Sequence, residues 1–403
     1  MIPIRGAAAR ALAAVFALAA CGPFSTAPAP PPTPIASPAA TPAGSPAGSP
    51  TPPALPTAAA PKPPFDWKRG TLPASDPPAY MTAVAAGGPG FVAVGGTTWR
   101  GVAAPAGFQS QAAVWTSRDG ADWERVPDQP SLHCDCSMRA IAAGPLGLVA
   151  VGGDSRDAGR IWTSRDGTSW RLLPPQPDRQ ATQLTAVAAG GPGLVAVGGR
   201  AVWTSVDGSA WKATGTSALE DASLDRLAAG GAAGLVALGS GAVWTSKDGA
   251  AWRRATQIPD TEAATLTTVG GVGDAVVAVG QRGLWRSRDG VSWQPAADDP
   301  AFDPIAVTSE GWVAHSGWSR ASATPLGLVI VGATPLLGAQ NGSPAILNTP
   351  TILFSKDLVT WAVGRIEPID APLVGIATNG SALVVVGDVI GAEARPAVWV
   401  ARI

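Results

Sequence analysis

One phrase recurs along most of this 403-residue chain. Between residues 184 and 213 it reads LTAVAAGGPGLVAVGGRAVWTSVDGSAWKA, and it returns twice more, with small changes, before residue 296. The aspartate of its S-x-D-G-x-x-W element recurs every 41 residues, at positions 166, 207, 248 and 289. A fixed period of about 40–45 residues, with four short apolar segments in each unit, is typical of the blades of a β-propeller.

Each unit predicts four strands, which we name A (LTAVAAG), B (LVAVGG), C (AVWTS) and D (SAWKA). The 49 glycines and the absence of helical periodicity agree with an all-β chain that turns often. Five full S-x-D-G-x-x-W elements and one degenerate copy near residue 357 predict six blades, and an A–B–C set follows them.

The missing D strand of that last set is expected at the other end of the domain. Residues 65–68 (FDWK) match the end of a repeat unit, so we predict seven four-stranded blades closed by this N-terminal strand. Closing the ring in this way removes exposed sheet edges. Residues 302–317 predict an additional hairpin, either an insertion or a reduced blade.

The S-x-D-G-x-x-W element resembles the Asp-box, or BNR repeat, of sialidase-like propellers. The resemblance implies a structural turn in which the glycine takes positive φ and the aspartate accepts backbone N–H groups. Two tryptophans in each unit are predicted to lie in the core, one on strand C and one four residues after the aspartate. The predicted structural aspartates are Asp119, Asp166, Asp207, Asp248, Asp289 and Asp357.

The N-terminus carries features of an export signal. Arg5 and Arg10 precede the ten-residue apolar stretch 11–20, which is too short to span a bilayer. The sequence LAAC that ends at Cys21 resembles the lipobox of bacterial lipoproteins. That resemblance implies cleavage after residue 20 and lipidation of Cys21, which would anchor the chain in the cell envelope on the extracytoplasmic side. An ordinary signal peptide with a chance cysteine is the alternative.

A proline-rich stalk follows the predicted anchor. Residues 23–64 contain 16 prolines, and residues 21–64 as a whole are predicted to form a disordered, extended linker to the propeller at residues 65–403.

The charge of the chain restricts its partners. Only 14% of the residues are charged, and without Arg5 and Arg10 there are 26 basic residues against 29 acidic ones. A nucleic-acid-binding protein would carry a basic stripe, so we expect no nucleic acid partner. We expect a monomeric propeller without a cofactor.

Ligands of propellers usually contact the face that carries the D–A and B–C connections. On that face the sequence offers aromatic and basic candidates in the segment 98–112 and on the A strands. Two interpretations apply to the A-strand arginines Arg139, Arg226 and Arg320. Either their positive charges bind an anion at this face, or they are solvated at the surface or pair with residues of a neighbouring blade. The ligand-face candidates are Trp99, Arg100, Arg139, Arg226, Trp318 and Arg320.

A catalytic role is not recognisable in the sequence. Sialidases with this repeat use an arginine triad, a Tyr–Glu pair and a further acidic residue, and their Phe/Tyr-Arg-Ile-Pro motif is not found. The one tyrosine, Tyr80, lies at the start of the first A strand instead of late in the chain. No pair of carboxylates stands out for glycoside hydrolysis. We therefore predict no catalytic residues.

The segment His133-Cys134-Asp135-Cys136 allows three interpretations. In an exported protein a Cys134–Cys136 disulfide is favoured over free thiols. Zinc binding would need further ligands, and no second ligand pair is present. We predict no metal site.

These observations favour a membrane-anchored, non-catalytic binding or scaffold module for a protein or glycan. A sialidase-like exo-glycosidase is one alternative. Another is an assembly or stability factor for a membrane protein complex, by resemblance to the propeller that assists photosystem II assembly.

Overall fold

The computed structural model describes most of the chain from residue 63 onward. The residues outside the description are 1–62, 75–77, 98–109, 175–182, 215–218, 220–221, 231–233, 260–262, 281–282, 298–304, 308–312, 316, 341–342, 359, 367–371 and 390–394. The predicted signal segment, Cys21 and nearly all of the predicted stalk lie outside the described residues.

Seven four-stranded antiparallel sheets form a ring, which confirms the predicted seven-bladed β-propeller. Blade 1 consists of β2 (Ala79–Gly87), β3 (Gly90–Thr97), β4 (Ala112–Ser117) and β5 (Glu124–Arg125). Blade 2 consists of β6 (Cys136–Gly144), β7 (Gly147–Asp154), β8 (Gly159–Ser164) and β9 (Arg171–Leu172). Blade 3 consists of β10 (Ala186–Gly190), β11 (Gly193–Gly198), β12 (Ala201–Ser205) and β13 (Lys212–Ala213). Blades 4 and 5 consist of β14 (Leu224–Gly230), β15 (Gly234–Gly239), β16 (Ala242–Ser246) and β17 (Trp252–Arg254); and β18 (Leu266–Val272), β19 (Ala275–Gly280), β20 (Leu284–Ser287) and β21 (Gln294–Ala297).

The last two blades complete the ring. Blade 6 consists of β24 (Gly317–Thr324), β25 (Gly327–Gln340), β26 (Ser343–Ser355) and β27 (Ala362–Arg365), and blade 7 contains β28 (Leu373–Thr378), β29 (Ala382–Val389) and β30 (Arg395–Arg402). The fourth strand of blade 7 is β1 (Lys68–Arg69), which pairs antiparallel with β30 through Lys68↔Val400 and Arg69↔Trp399. The predicted closure by the N-terminal strand is therefore present.

The additional hairpin predicted near residue 302 is an insertion and not a blade. Strands β22 (Ile305–Val307) and β23 (Val313–His315) pair only with each other, and both contact β25 of blade 6. The seven blades are complete without them.

The core lies between neighbouring blades. The described buried residues form seven apolar clusters, one at each of the seven interfaces around the ring. The repeat tryptophans fill these interfaces: Trp115 and Trp162 on the C strands are fully buried, and Trp123 and Trp170 are nearly so. Burying such large side chains stabilises each interface strongly, so the repeated phrase produces a repeated core.

The two faces of the ring carry different connections. A–B turns lie beside the S-x-D-G turns, since a Cβ at Gly88 would lie 2.8 Å from the carbonyl oxygen of Asp166. B–C and D–A connections meet on the other face, where Gly199 bridges to Leu224. We call these the Asp-turn face and the loop face. Within the described part of the chain, no helix is long and apolar enough to cross a bilayer.

Candidate functional site

A cavity of about 160 Å³ opens at the centre of the ring. All seven A strands contribute to its wall, because each A strand lies innermost in its blade and contacts the A strands of its neighbours. The lining residues are Ala83, Val84, Ala140, Ile141, Thr185, Ala186, Val187, Arg226, Leu227, Thr268, Val269, Arg320, Gly375 and Ile376.

An irregularity near the start of six of the seven A strands sets which residue faces the cavity. In six blades the A–B register shifts by one residue, as between Leu224 and Arg226 or between Trp318 and Arg320. Such a β-bulge leaves one residue unpaired and redirects the side chain that follows it. The residue after each bulge lines the cavity: Ala83, Ala140, Arg226, Thr268, Arg320 and Gly375.

Two of these positions carry arginine. Arg226 belongs to blade 4 and Arg320 to blade 6, so two cations from non-adjacent blades converge on the cavity. Burial, and secondly the positive charge of Arg226, lower the pKa of Arg320 to about 10, although the carboxylate of Asp225 opposes this shift. Arg320 nevertheless stays protonated at neutral pH.

The described hydrogen bonds of the two arginines leave one buried donor of Arg226 unpaired. Arg226 Nη1 donates to the carbonyl oxygen of Asp225 at 3.1 Å and lies 4.0 Å from a carboxylate oxygen of the same residue. Arg226 Nε is buried and has no hydrogen-bond partner among the described residues. Arg320 Nη1 donates to the carbonyl oxygen of Ser319 at 2.8 Å. Convergent guanidinium groups with an unmet donor are suited to hold an anion.

Arg139 occupies a different position from the other two. It is exposed on β6, at the bulge itself between Met138 and Ala140, and does not line the cavity. The backbone of Trp318 pairs with Gly332 at the start of β24, next to the bulge of blade 6. Trp99 and Arg100 lie outside the described residues.

A half-buried carboxylate that the sequence did not single out lies between blades 7 and 1. Asp388, near the end of β29, accepts a long hydrogen bond from the backbone N–H of Met81 at 3.5 Å. Burial raises the pKa of Asp388 to about 6, and this hydrogen bond only partly opposes the shift. Asp388 does not line the central cavity.

Cys134 and Cys136 form a disulfide at the start of β6 on the loop face, with Cα atoms 5.1 Å apart. Asp135 between them accepts hydrogen bonds from two neighbouring connections, through its side chain from Ser110 N–H at 3.2 Å and through its carbonyl from Ser155 N–H at 2.9 Å. His133 lies 3.7 Å from the carboxylate of Asp128. Among the described residues, no group of three or more His, Cys, Asp or Glu side chains could hold a metal ion.

The six predicted turn aspartates lie on the opposite face and repeat one set of bonds. In blade 2, Asp166 accepts the N–H groups of Thr168 at 2.8 Å and Ser169 at 2.7 Å, and these bonds hold its pKa well below the usual range. The hydroxyl of Ser164 accepts the N–H of Gly167, and the Trp170 indole donates to the Gly167 carbonyl. The other turn aspartates, Asp119, Asp207, Asp248, Asp289 and Asp357, accept the same kind of backbone bond.

Larger clefts also open on the Asp-turn face. One of about 470 Å³ lies between blades 2 and 3, and one of about 370 Å³ lies between blades 5 and 6. Both are lined by the repeated turns, including Asp166 and Asp207 in the first and Asp289 and Asp357 in the second. Their turn aspartates are engaged in backbone bonds, and Arg165 and Arg171 in the first and Arg286 and Arg288 in the second also line them. The central cavity differs from both because the A strands of all seven blades contribute to it, so we take it as the candidate site.

Comparisons with known proteins assign the chain to no family. No protein-family description matches the chain, and no curated protein matches it. Solved structures similar to it include a protein assigned as a glycoside hydrolase from Parabacteroides distasonis, with 12% identity, a TM-score of 0.32 and coverage of 80% of this chain and 86% of that one.

Two further solved structures show the same kind of likeness. A GH130-family structure, from work on glycoside hydrolases that target β-1,2-mannosidic linkages in Candida mannan, has 12% identity, a TM-score of 0.31 and coverage of 80% of this chain and 84% of that one. The WD40 β-propeller domain of Doa1 has 10% identity, a TM-score of 0.45 and coverage of 83% and 96%. At these identities and TM-scores, none of the three structures indicates what this chain does.

Proposed function

We propose that this chain is a non-catalytic binding module that recognises an anionic group of its ligand at the loop face. In this proposal Cys21 anchors the chain to the membrane, and the proline-rich stalk holds the propeller on the extracytoplasmic side. The observation that carries the proposal is the convergence of Arg226 and Arg320 on the central cavity.

The chemistry of the cavity wall supports binding over catalysis. Among the described residues that line it, Arg226 and Arg320 are the only side chains that carry a charge at neutral pH. Glycoside hydrolysis normally needs two carboxyl groups on either side of the scissile bond. A protonated guanidinium donates hydrogen bonds and cannot accept a proton. The wall can therefore attract and orient an anion, and it offers no general base.

The position of the two arginines supports recognition of a ligand from the loop face. Both lie near the start of their A strands, where the D–A connections enter the ring. The bulges that aim them belong to the rigid inner strands, whereas the connections around them differ from blade to blade. A rigid charged centre with variable surroundings suits selective binding.

The test is a cross-linking pull-down of the full-length, lipidated protein from its native membrane, with bound molecules identified by mass spectrometry. The single variants Arg226→Gln and Arg320→Gln are compared with Arg139→Gln, which removes the same charge from an exposed position on the same side. We expect a stoichiometric partner that both cavity variants lose and that the control retains. A partner retained by all three variants, or no enriched partner, would refute the proposal.

A further inference from the structure

The charge balance of the central cavity is close to +1. Arg226 and Arg320 supply two positive charges, and Asp225 supplies one negative charge at 4.0 Å from Arg226 Nη1. Asp225 is itself at the bulge of blade 4 and does not line the cavity. One monoanion placed between the arginines would therefore neutralise the site, whereas a dianion would leave excess negative charge in a partly buried place.

The donor geometry favours a carboxylate as that monoanion. Arg226 Nε is buried without a hydrogen-bond partner among the described residues, although its Nη1 is engaged by the Asp225 carbonyl. A guanidinium presents Nε–H and Nη–H as a planar fork that matches the two oxygens of a carboxylate. A buried donor left unpaired costs free energy, and an acceptor recovers it once the Arg226 side chain turns to bring Nε to the cavity surface.

The rest of the wall combines the hydroxyl-bearing residues Thr185 and Thr268 with small and aliphatic residues. In six of the seven blades a branched apolar residue contributes to it. These residues are Val84, Ile141, Val187, Leu227, Val269 and Ile376. A ligand with charge at one end and a short hydrocarbon portion beside it would satisfy both parts of the wall.

The volume limits the size of that portion. At about 160 Å³, the cavity is smaller than the roughly 300–1,000 Å³ of typical small-molecule sites. It corresponds to about five water molecules at their liquid volume of roughly 30 Å³ each. A carboxylate with a chain of two to four carbon atoms in total, on the order of this volume, fits.

We infer that the central cavity binds a short aliphatic monocarboxylate group between Arg226 and Arg320. The inference rests on the proposed function and names the chemistry that its site recognises. The group can be a free short-chain acid or the carboxylate end of a larger ligand, since the cavity contacts only the terminal atoms in either case.

The first experiment titrates the full-length protein with butyrate and with butyramide, its neutral counterpart, and follows binding by calorimetry. We expect saturable binding of one butyrate per chain and no binding of butyramide. Inorganic phosphate, which carries more charge and no hydrocarbon, should bind more weakly than butyrate. Equal binding of butyrate and butyramide, or no binding of butyrate, would overturn the inference.

Variants then locate the site. Arg226→Gln and Arg320→Gln should each weaken butyrate binding by about tenfold or more, because each removes a charge-assisted hydrogen bond. Arg139→Gln should leave the affinity unchanged. Ala140→Leu fills the cavity from blade 2 at the position where blades 4 and 6 already carry arginine, so it should block butyrate without unfolding the chain. Weakening by Arg139→Gln equal to that by the cavity variants would overturn the assignment.

Three further outcomes separate this inference from the proposed function and the two sources of carboxylate from each other. If the pull-down depends on Arg226 and Arg320 but butyrate does not bind, the ligand chemistry is wrong and the binding function stands. If butyrate binds but no partner is recovered, the site is a free-acid site and the scaffold function falls. If butyrate elutes the recovered partner, the carboxylate belongs to that partner.

Discussion

The Asp-turn face and the central cavity are built from the same repeat but use it in opposite ways. On the Asp-turn face, the aspartate of all six copies of one phrase accepts backbone N–H groups, as Asp166 and Asp289 illustrate by accepting two each. In the cavity, one structural position, the residue after the bulge, carries alanine in two blades and arginine in two others. Repetition supplies the framework, and deviation from it supplies the candidate site.

The difference also appears in the electrostatics. Backbone hydrogen bonds lower the pKa of five turn aspartates, which favours their charged form and stabilises the fold; these are Asp119, Asp166, Asp207, Asp248 and Asp289. Burial instead disfavours charge at Arg320 and at Asp388. Such groups lower the stability of the folded protein, and perturbed pKa values of this kind are typical of binding sites.

The largest expected effect concerns the closure of the ring by β1. The Asp-turn face and the central cavity both depend on this closure. Deletion of residues 63–72 removes β1 and the aromatic contacts of Phe65, whose ring lies 5.2 Å from that of Phe354. Because blade 7 would lose its outer strand and part of its core, we expect a loss of about 5 kcal/mol or more in the free energy of unfolding. Chemical denaturation measures it. A stability equal to that of the intact chain would show that β1 is dispensable.

The next effect tests the framework alone. Gly167 has φ +78°, and a Cβ there would lie 2.7 Å from Val92 Cγ2 of the preceding blade. Gly167→Ala should cost about 2–4 kcal/mol, from the left-handed backbone and the clash together. Gly273, at φ +54° with nothing within 4 Å of its Cβ position, is the matched control. Gly273→Ala should cost only about 1–2 kcal/mol in the same denaturation experiment. Equal costs would contradict the role of the blade contact.

The third prediction compares two carboxylates near the loop face. The folded pKa of Asp388 is about 6, above the ordinary value, so the folded state keeps a proton that the unfolded state releases between about pH 4 and 6. Stability therefore falls as pH rises through this window. Asp388→Asn should raise stability at pH 7 by on the order of 1–3 kcal/mol, and the gain should vanish below about pH 4.

Asp154 is the control of opposite sign. Burial raises its pKa, but the N–H groups of Ala158 and Arg156 and the Arg160 guanidinium outweigh burial and lower the pKa overall. Its contribution is present at neutral pH and is lost as pH falls below the ordinary value. Asp154→Asn should therefore destabilise the protein at pH 7. Thermal unfolding curves over pH 3–8 would record both variants, and the same sign for both would contradict these assignments.

The smallest effect concerns the arginine pair itself. Arg226 contributes to lowering the pKa of Arg320, so removing either charge relieves repulsion in the unliganded protein. Arg320→Gln should raise the free energy of unfolding slightly, by less than about 1 kcal/mol because both groups are partly exposed. Arg139→Gln should leave it unchanged. Destabilisation by Arg320→Gln would indicate a structural role for the pair.

The propeller fold could be predicted because every blade carries the same local sequence pattern. Each blade has its own copy of the strand pattern, and residues 65–68 carry the pattern of a final strand without its turn. The Asp357 turn shows how robust the pattern is, because Leu358 takes φ +62° where the other turns have glycine. The sequence could not decide whether the hairpin formed by β22 and β23 is an insertion or a reduced blade, because its pattern is that of any A–B pair.

The site was only partly predictable because its geometry depends on a bulge. The sequence grouped Arg139 with Arg226 and Arg320, yet Arg139 is the bulged residue of its strand and the other two follow theirs. Aligning the A strands on their Met138, Leu224 and Trp318 positions would have separated them. Asp388 offered no such signal, since its burial depends on ring closure beside Met81, 307 residues away.

The most direct measurement is an NMR titration of the arginine Nε–Hε signals of the isotopically labelled full-length protein with butyrate, with Arg226→Gln and Arg320→Gln used for assignment. We predict that the Nε–Hε signals of Arg226 and Arg320 shift together and saturate, that the signal of Arg139 stays in place, and that butyramide moves none of them. Unmoved signals for Arg226 and Arg320, or an equal shift of Arg139, would show that the central cavity is not the binding site.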